Sequence, residues 1–258
     1  MKQQISPETI LKIKSCQNFL FKILRYHLKP YVGPMLNFFR LRKWRHNSDL
    51  RVFNWDWRKI NFNRISTVNL LLNNFDNASY LEIGCASDSL FNSVPVENKV
   101  GVDPLSGGNV RKTSDNFFKE NKKQFDVIFI DGLHTYEQVR KDIINSISTL
   151  NEGGWIVLHD MLPRNWIEQH SPIITKGPWT GDVWKVAFEL IQTGGIDFKI
   201  LKIDHGVGVI KVIKKSVQLK NLQKELLNSK FTYYYDNINK LPIIEWNDAK
   251  SWMKNRIN

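Results

Sequence analysis

The sequence predicts an α/β fold, a mostly parallel sheet closed by an antiparallel C-terminal hairpin, with helical extensions at both ends. Three observations carry this expectation. Four short apolar runs, Tyr80–Ile83, Lys99–Val102, Phe125–Ile130 and Trp155–Leu158, are separated by helical stretches, which is the pattern of βαβ units and a parallel sheet. Each run ends in a turn that carries glycine or an acid. The last two runs, Phe198–Ile203 and Val207–Val212, are joined only by Asp204, His205 and Gly206, a connection that permits a hairpin and no parallel crossover.

At 258 residues the chain has room for one α/β domain with short additions, and 42% hydrophobic residues can fill its core. Composition divides it into a basic helical extension over residues 1–60, a central domain over 61–214 and a basic extension over 215–258. Of the net charge of +12, residues 1–60 hold 13 Lys or Arg against 3 Asp or Glu, and residues 211–258 hold 10 against 4. Such ends fit an anionic surface or partner, or else pack on the domain or on a second copy of the chain. Cys16 and Cys85 lack the spacing of a disulfide framework or a zinc site, so a reducing, cytoplasmic setting is expected. No run reaches membrane-spanning length, and the apolar patch Phe19–Leu24, interrupted by Lys22, is too short for an export signal.

Along the chain, Pro7–Leu28 recurs apolar at helical spacing until Pro30 and Pro34 break it, and Met35–Trp57 is crowded with Phe, Trp and Arg. The Tyr80–Ile83 strand passes through Gly84 into a helix, where a glycine lets backbone approach a ligand and free N–H groups face an anion. Asp103 closes the next strand about twenty residues on, the spacing at which an acid accepts from ribose hydroxyls; a turn former before Pro104 is the alternative. Only Leu105–Asn109 then precede Val110–Lys112, so the usual crossover helix is not expected there. A helix follows over Asn116–Lys122.

After Phe125–Ile130 come Asp131 and His134, then a helix whose Thr135 and Gln138 form a capping-box pattern and whose apolar face is Ile143, Ile147 and Leu150. Asn151–Gly154 end it. Trp155–Leu158 leads into His159 and Asp160. Neighbouring strand tips lie about 5 Å apart, so Asp131 and Asp160 are placed to share one cation of the magnesium, calcium or manganese type, unless Asp131 only orients its loop; His159 is either a softer third ligand or a structural neighbour. His134 is the candidate base, with helix capping or a backbone bond as the alternative. The aperiodic segment Pro163–Trp179 is expected to wall the site, with Trp166, Trp179 and Trp184 available for stacking, although Trp184 with Phe188 at helical spacing also fits a core pair. A helix over Gly181–Gln192, stopped by Gly194 and Gly195, precedes the hairpin.

In this order, the Glu82-Ile83-Gly84 turn, Gly101-Val102-Asp103-Pro104, the run Phe125–Tyr136 and the run Gly153–Asp160 resemble class I, Rossmann-like S-adenosylmethionine-dependent methyltransferases. Within that class they are similar to the branch of metal-dependent sugar and macrolide O-methyltransferases, over about Ser79–Val212. The resemblance implies that Glu82 and Gly84, with Cys85 and Ala86, line the methionine end of S-adenosylmethionine, that Asp103 takes the ribose and that Asp131 borders the cofactor. Ser114 and Asp115 either contact the adenine or cap the following helix. The chain departs from the family turn at Ala86 and Asp88, where a second glycine is usual; Asp88 would repel the methionine carboxylate unless it points away or caps a helix. The function implied is methyl transfer to a sugar or glycan hydroxyl with help from a divalent cation, magnesium first among the candidates, with His134 taking the hydroxyl proton. A nicotinamide-dependent dehydrogenase lacks its G-x-G-x-x-G sequence here. A non-catalytic protein whose basic ends hold nucleic acid or a membrane surface is the third reading.

Overall fold

The computed structural model describes residues 38–214 and 216–254. The chain falls into two units, Met1–Ser48 and Asp49–Asn258. In the first, residues 38–43 are helical and Arg45–Asn47 make a 3-10 turn. The helix expected over Pro7–Leu28 lies outside the described residues.

The second unit opens with α1 (Arg64–Leu72), whose N-terminus is capped by Asn63 Oδ1 accepting from the Ile65 and Ser66 N–H groups, and whose Val68, Leu71 and Leu72 are buried. There follow β1 (Tyr80–Ile83), α2 (Ser89–Ser93), β2 (Lys99–Val102), α3 (Ser114–Glu120), β3 (Phe125–Ile130), α4 (Tyr136–Ser148) and β4 (Leu150–Leu158). Then come α5 (Lys185–Leu190), β5 (Ile196–Leu201), β6 (Val207–Val212), α6 (Gln223–Leu226), α7 (Phe231–Asn237), β7 (Ile243–Ile244) and α8 (Trp246–Lys254). The strands form one sheet in the order β2-β1-β3-β4-β6-β5-β7. From β2 to β4 the pairing is parallel, and β6 runs antiparallel to both β4 and β5. This is the mostly parallel sheet with an antiparallel hairpin expected from the alternating runs, and the Rossmann-like architecture implied by the resemblance. All four residues of β1 are buried because both faces of a parallel sheet are covered, which is why it reads as a continuous apolar run. On one face, Val68 and Leu71 of α1 and Ala249 and Met253 of α8 join Tyr80, Phe129, Val157 and Val209 in the core.

Several elements differ in detail. Val110 makes a single parallel bridge to Val102 where a strand over Val110–Lys112 was expected, and no helix intervenes. The strand at Trp155 reaches back to Leu150: Phe125 pairs with Leu150 and Val127 with Trp155, so residues 151–154 are taken up in a bulge. The hairpin strand runs over Ile196–Leu201, beginning two residues earlier than expected because Ile196 pairs with Val212 and ending at Leu201 because the turn closes through a Gly206 N–H bond to the Ile203 carbonyl, with Asp204, His205 and Gly206 all at positive φ. The helix read as Gly181–Gln192 is regular only over α5, and that read as Asn116–Lys122 starts at Ser114, capped by the Thr113 hydroxyl.

The capping box at α4 does not form. Thr135 makes no side-chain cap bond; Asp182 Oδ1 instead accepts from the Tyr136 N–H at 2.8 Å, and Gln138 donates to Ser114, Asp115 and Asp142. A carboxylate complements the helix dipole better than a neutral hydroxyl, and Asp182 is brought there by tertiary folding. Residues 49–60 and 216–254, read as parts of the extensions, lie in the same unit as the sheet. Phe53 bonds the Arg164 carbonyl and stacks on Tyr235, while β7 adds an edge strand beside β5. No described helix is long and apolar enough to cross a membrane.

Candidate active site

A cavity of about 580 Å³ opens at the C-terminal tips of β1, β2 and β3, the edge at which open α/β sheets place their ligands. It is lined by Glu82, Gly84, Cys85 and Ala86 from the β1 turn, Asp103 from the β2 tip, Ser114 and Asp115 from α3, and Asp131 and His134 from the β3 loop. The cofactor residues expected from the sequence therefore share one cavity.

The β1 turn is held by its neighbours. Gly84 sits at φ +87°, and a Cβ there would collide with the Asp131 carbonyl, so glycine is required by the crossing of the β3 loop as much as by any ligand. Asp103 clamps the turn to the β2 tip: Oδ2 accepts from Cys85 and Ala86 N–H at 3.1 Å each, and Oδ1 from Leu105 and Ser106 N–H at 2.8 Å each. Burial pushes its pKa up, but these four bonds prevail and the carboxyl is held below its ordinary value. The turn-forming reading of Asp103 is realised, and the residue also lines the cavity. Asp88, in the left-handed region at φ 61°, points away: its Oδ1 accepts from the Gly108 N–H at 2.6 Å and caps no helix. Glu82 is buried with Tyr80 O–H donating to Oε2 at 2.7 Å. Burial pushes its pKa up to about 7; the Tyr80 bond pulls down, and the nearby Asp131 charge adds to the rise.

Beside this cavity stands a charged cluster. His134 Nε2 lies 3.3 Å from Asp131 Oδ1 and its Nδ1 lies 3.0 Å from Asp160 Oδ2, so the imidazole is held between the two carboxylates. Asp160 reaches the cluster from a left-handed backbone, φ 62°, because Met161 and Leu162 turn to bond the Gly206 and His205 carbonyls. His159 Nδ1 is 3.4 Å from Asp131 Oδ1 and from Asp160 Oδ1, and its Nε2 is 3.5 Å from Asp204 Oδ2. Burial disfavours both imidazolium ions, yet Asp131 and Asp160 outweigh it, pushing His134 up to about 10 and His159 well above its ordinary value. The carboxyls of Asp131 and Asp160 respond in the opposite sense: burial raises them, and the histidines hold them below the usual range. Donor atoms of Asp131, His134 and Asp160 all lie within 4.8 Å of one another, which fits a divalent cation. His134 thus stands in the ligand-spaced group where His159 was expected; His159 is turned partly toward Asp204.

Of the three tryptophans read for stacking, Trp179 is at the site, its ring parallel to His134 at 5.0 Å and 10°. Trp184 is fully buried and edge-on to Phe188, which realises the core alternative, and Trp166 is also buried. Gly181, at φ +62°, lies against the His134 carbonyl, where a Cβ would collide. Sequence reasoning missed Arg64, Asp204 and Gln138. Arg64 and Gln138 line the cavity, and Asp204 binds Arg64 across the hairpin turn at 2.8 Å. Arg64 stands in no recognisable pattern, and the patterns that hold Asp204 and Gln138 read as a turn and a cap.

Fold and cavity define a Rossmann-like α/β protein with a cavity at the strand tips. Residues 99–161 match the family model described as methyltransferase domain, and the resemblance to class I S-adenosylmethionine-dependent methyltransferases stands. The uncharacterized protein R132 of Acanthamoeba polyphaga mimivirus is 26% identical over 131 residues, 39% of this chain and 59% of that protein. Among solved structures, the MycE methyltransferase of the mycinamycin biosynthetic pathway, in complex with Mg, SAH and mycinamycin VI, is 17% identical, with 54% of this chain and 46% of that one covered and a TM-score of 0.35. The SAH-bound Podospora anserina methyltransferase PaMTH1 is 18% identical, covering 83% and 99%, with a TM-score of 0.40. The chain spans less than two thirds of the length of R132 and of MycE.

Proposed function

We propose that this protein transfers a methyl group from S-adenosylmethionine to a hydroxyl oxygen, of a sugar or glycan, at a site assisted by a divalent cation, magnesium being the leading candidate. The observation that carries the reading is the contact of two features: a cavity lined by the β1, β2 and β3 tips, and the Asp131–His134–Asp160 cluster that shares two residues with it. Glu82 and the Gly84 turn face the methionine end, Asp103 the ribose, and Ser114 and Asp115 the adenine. The cofactor, when bound, supplies a sulfonium methyl group open to in-line attack.

Asp131 and Asp160 would hold the cation, which supplies positive charge that lowers the pKa of an acceptor hydroxyl. His134 is the proton acceptor. With its two carboxylate neighbours uncompensated, the imidazole keeps its proton up to about pH 10; a cation held by Asp131 and Asp160 would weaken that hold and so favour the ring as a base. Trp179 fixes the ring plane by stacking, and the Asp182 cap fixes the start of α4 directly after the His134 loop. An acceptor glycan, an anionic surface for the basic ends and self-association remain part of the same reading.

Calorimetric titration with S-adenosylmethionine in magnesium-containing buffer tests the cofactor part, and saturable binding is expected. Folded protein that takes up no cofactor overturns it. Asp131→Ala and Asp160→Ala should abolish metal-stimulated transfer to nucleotide sugars or glycans while the far-UV spectrum is unchanged; full activity in chelator overturns the cation part.

A further inference from the structure

We propose that Arg64 is the carboxylate-binding residue of this cavity: its guanidinium takes the α-carboxylate of the cofactor's methionine moiety, while Glu82 takes the α-ammonium. The proposal rests on the cofactor reading above.

The charge balance of the lining leads to it. Among the described residues around the cavity, Glu82, Asp103, Asp115 and Asp131 are acidic, and Arg64 is the one Lys or Arg. An α-amino acid headgroup brings a carboxylate into these surroundings, and a carboxylate taken from water without a partner is strongly disfavoured. The imidazole of His134 is already flanked by Asp131 and Asp160. Arg64 therefore carries the only permanent positive charge on the cavity wall among the described residues.

Its geometry suits the task. Arg64 is the first residue of α1, and both its backbone N–H, at 3.1 Å, and its Nη1, at 2.8 Å, donate to Asp204 Oδ2. His159 Nε2 lies 3.5 Å from the same Nη1. The bond to the hairpin turn thus orients the guanidinium through one nitrogen. Its Nε and Nη2 form no hydrogen bond among the described residues, and the side chain is 30% exposed. A guanidinium with its Nε–Nη2 edge open matches a carboxylate in a two-pronged fashion that an ammonium does not reproduce. In the same cavity lining, Glu82 has one oxygen engaged by Tyr80 and the other available to a donor. An arginine and a glutamate lining one cavity supply the two charges that a zwitterion requires.

The test compares two ligands that share the nucleoside and differ in the amino acid: S-adenosylhomocysteine and 5′-methylthioadenosine, each titrated calorimetrically into the full chain. Wild-type protein should bind the first more tightly. Arg64→Met should weaken S-adenosylhomocysteine by about 10- to 100-fold, the value of a lost charge-assisted bond, and 5′-methylthioadenosine by less than about 2-fold. Arg64→Lys, which keeps a charge for Asp204, should show an intermediate loss confined to S-adenosylhomocysteine, and it carries the test if Arg64→Met does not fold. Equal weakening of both ligands, or no weakening, overturns the assignment. A wild type that binds both ligands equally well overturns the receptor while leaving the nucleoside cavity standing; one that binds neither overturns the cofactor reading and the receptor with it.

Discussion

Replacing Glu82 by Gln should remove a pH-dependent strain from the ligand-free protein. The Glu82 carboxyl is buried beside Asp131, and its pKa stands at about 7 against an ordinary 4.5. The folded protein therefore holds a proton that the unfolded chain has lost between these values, and the stability this group contributes is complete below pH 4.5 and gone above about 7. One pKa unit is worth about 1.4 kcal/mol, so the whole displacement amounts to about 3 kcal/mol, of which about 2 to 3 kcal/mol falls between pH 5 and 8. Glutamine keeps an acceptor for the Tyr80 hydroxyl and carries no charge. Urea denaturation of both proteins at pH 5 and pH 8, without cofactor, isolates the effect, because other titrating groups are common to the two and largely cancel in the difference. Wild type should lose about 2 to 3 kcal/mol more than Glu82→Gln over that interval. Parallel losses would refute the argument, showing that the carboxyl is solvated or already ionised in the folded state.

Other substitutions test the supports of the site. Gly84→Ala, at positive φ and against the Asp131 carbonyl, should cost more than the roughly 1 to 3 kcal/mol of backbone strain alone; an unchanged thermal melt would contradict the crossing described. Asp182→Ala should lower stability by about 1 kcal/mol or more through loss of the α4 cap, whereas Thr135→Ala should be nearly neutral, the reverse of what a capping box requires. Glu189 is fully buried and accepts from Tyr136, Arg140 and Leu222, so Glu189→Leu should cost about 3 to 5 kcal/mol by leaving Arg140 without its partner, measured by chemical denaturation. Gly181→Ala should displace the His134 loop and reduce methyl transfer far more than cofactor affinity, since its Cβ would meet the His134 carbonyl; equal effects on both would point to general loosening.

How much of this was legible in the chain depends on the range of the interactions concerned. The four parallel strands and the hairpin follow from apolar runs and turn residues that lie within a few positions of one another, and strand tips bearing Gly84, Asp103, Asp131 and Asp160 follow from the same runs. Even the absence of a helix after Asp103 is a matter of counting residues. The sequence by itself therefore determined the α/β class, the edge of the sheet at which the cavity opens, and nine of the residues that line it.

Tertiary structure decided the rest. That His134 lies between Asp131 and Asp160, while His159 turns partly toward Asp204, depends on a left-handed bend at Asp160 that is held by the hairpin. The α4 cap comes from Asp182, not from the Thr135 written beside it, and the cavity's arginine comes from the start of α1, tied to the hairpin turn 140 residues further along the chain. Trp184 is core and Trp179 is at the site although both occur in the same stretch of sequence. Periodicity records which face of an element is apolar, because solvent acts on each residue locally; it does not record which distant polar partner will satisfy a buried charge, because that is settled only when packed elements bring their ends together.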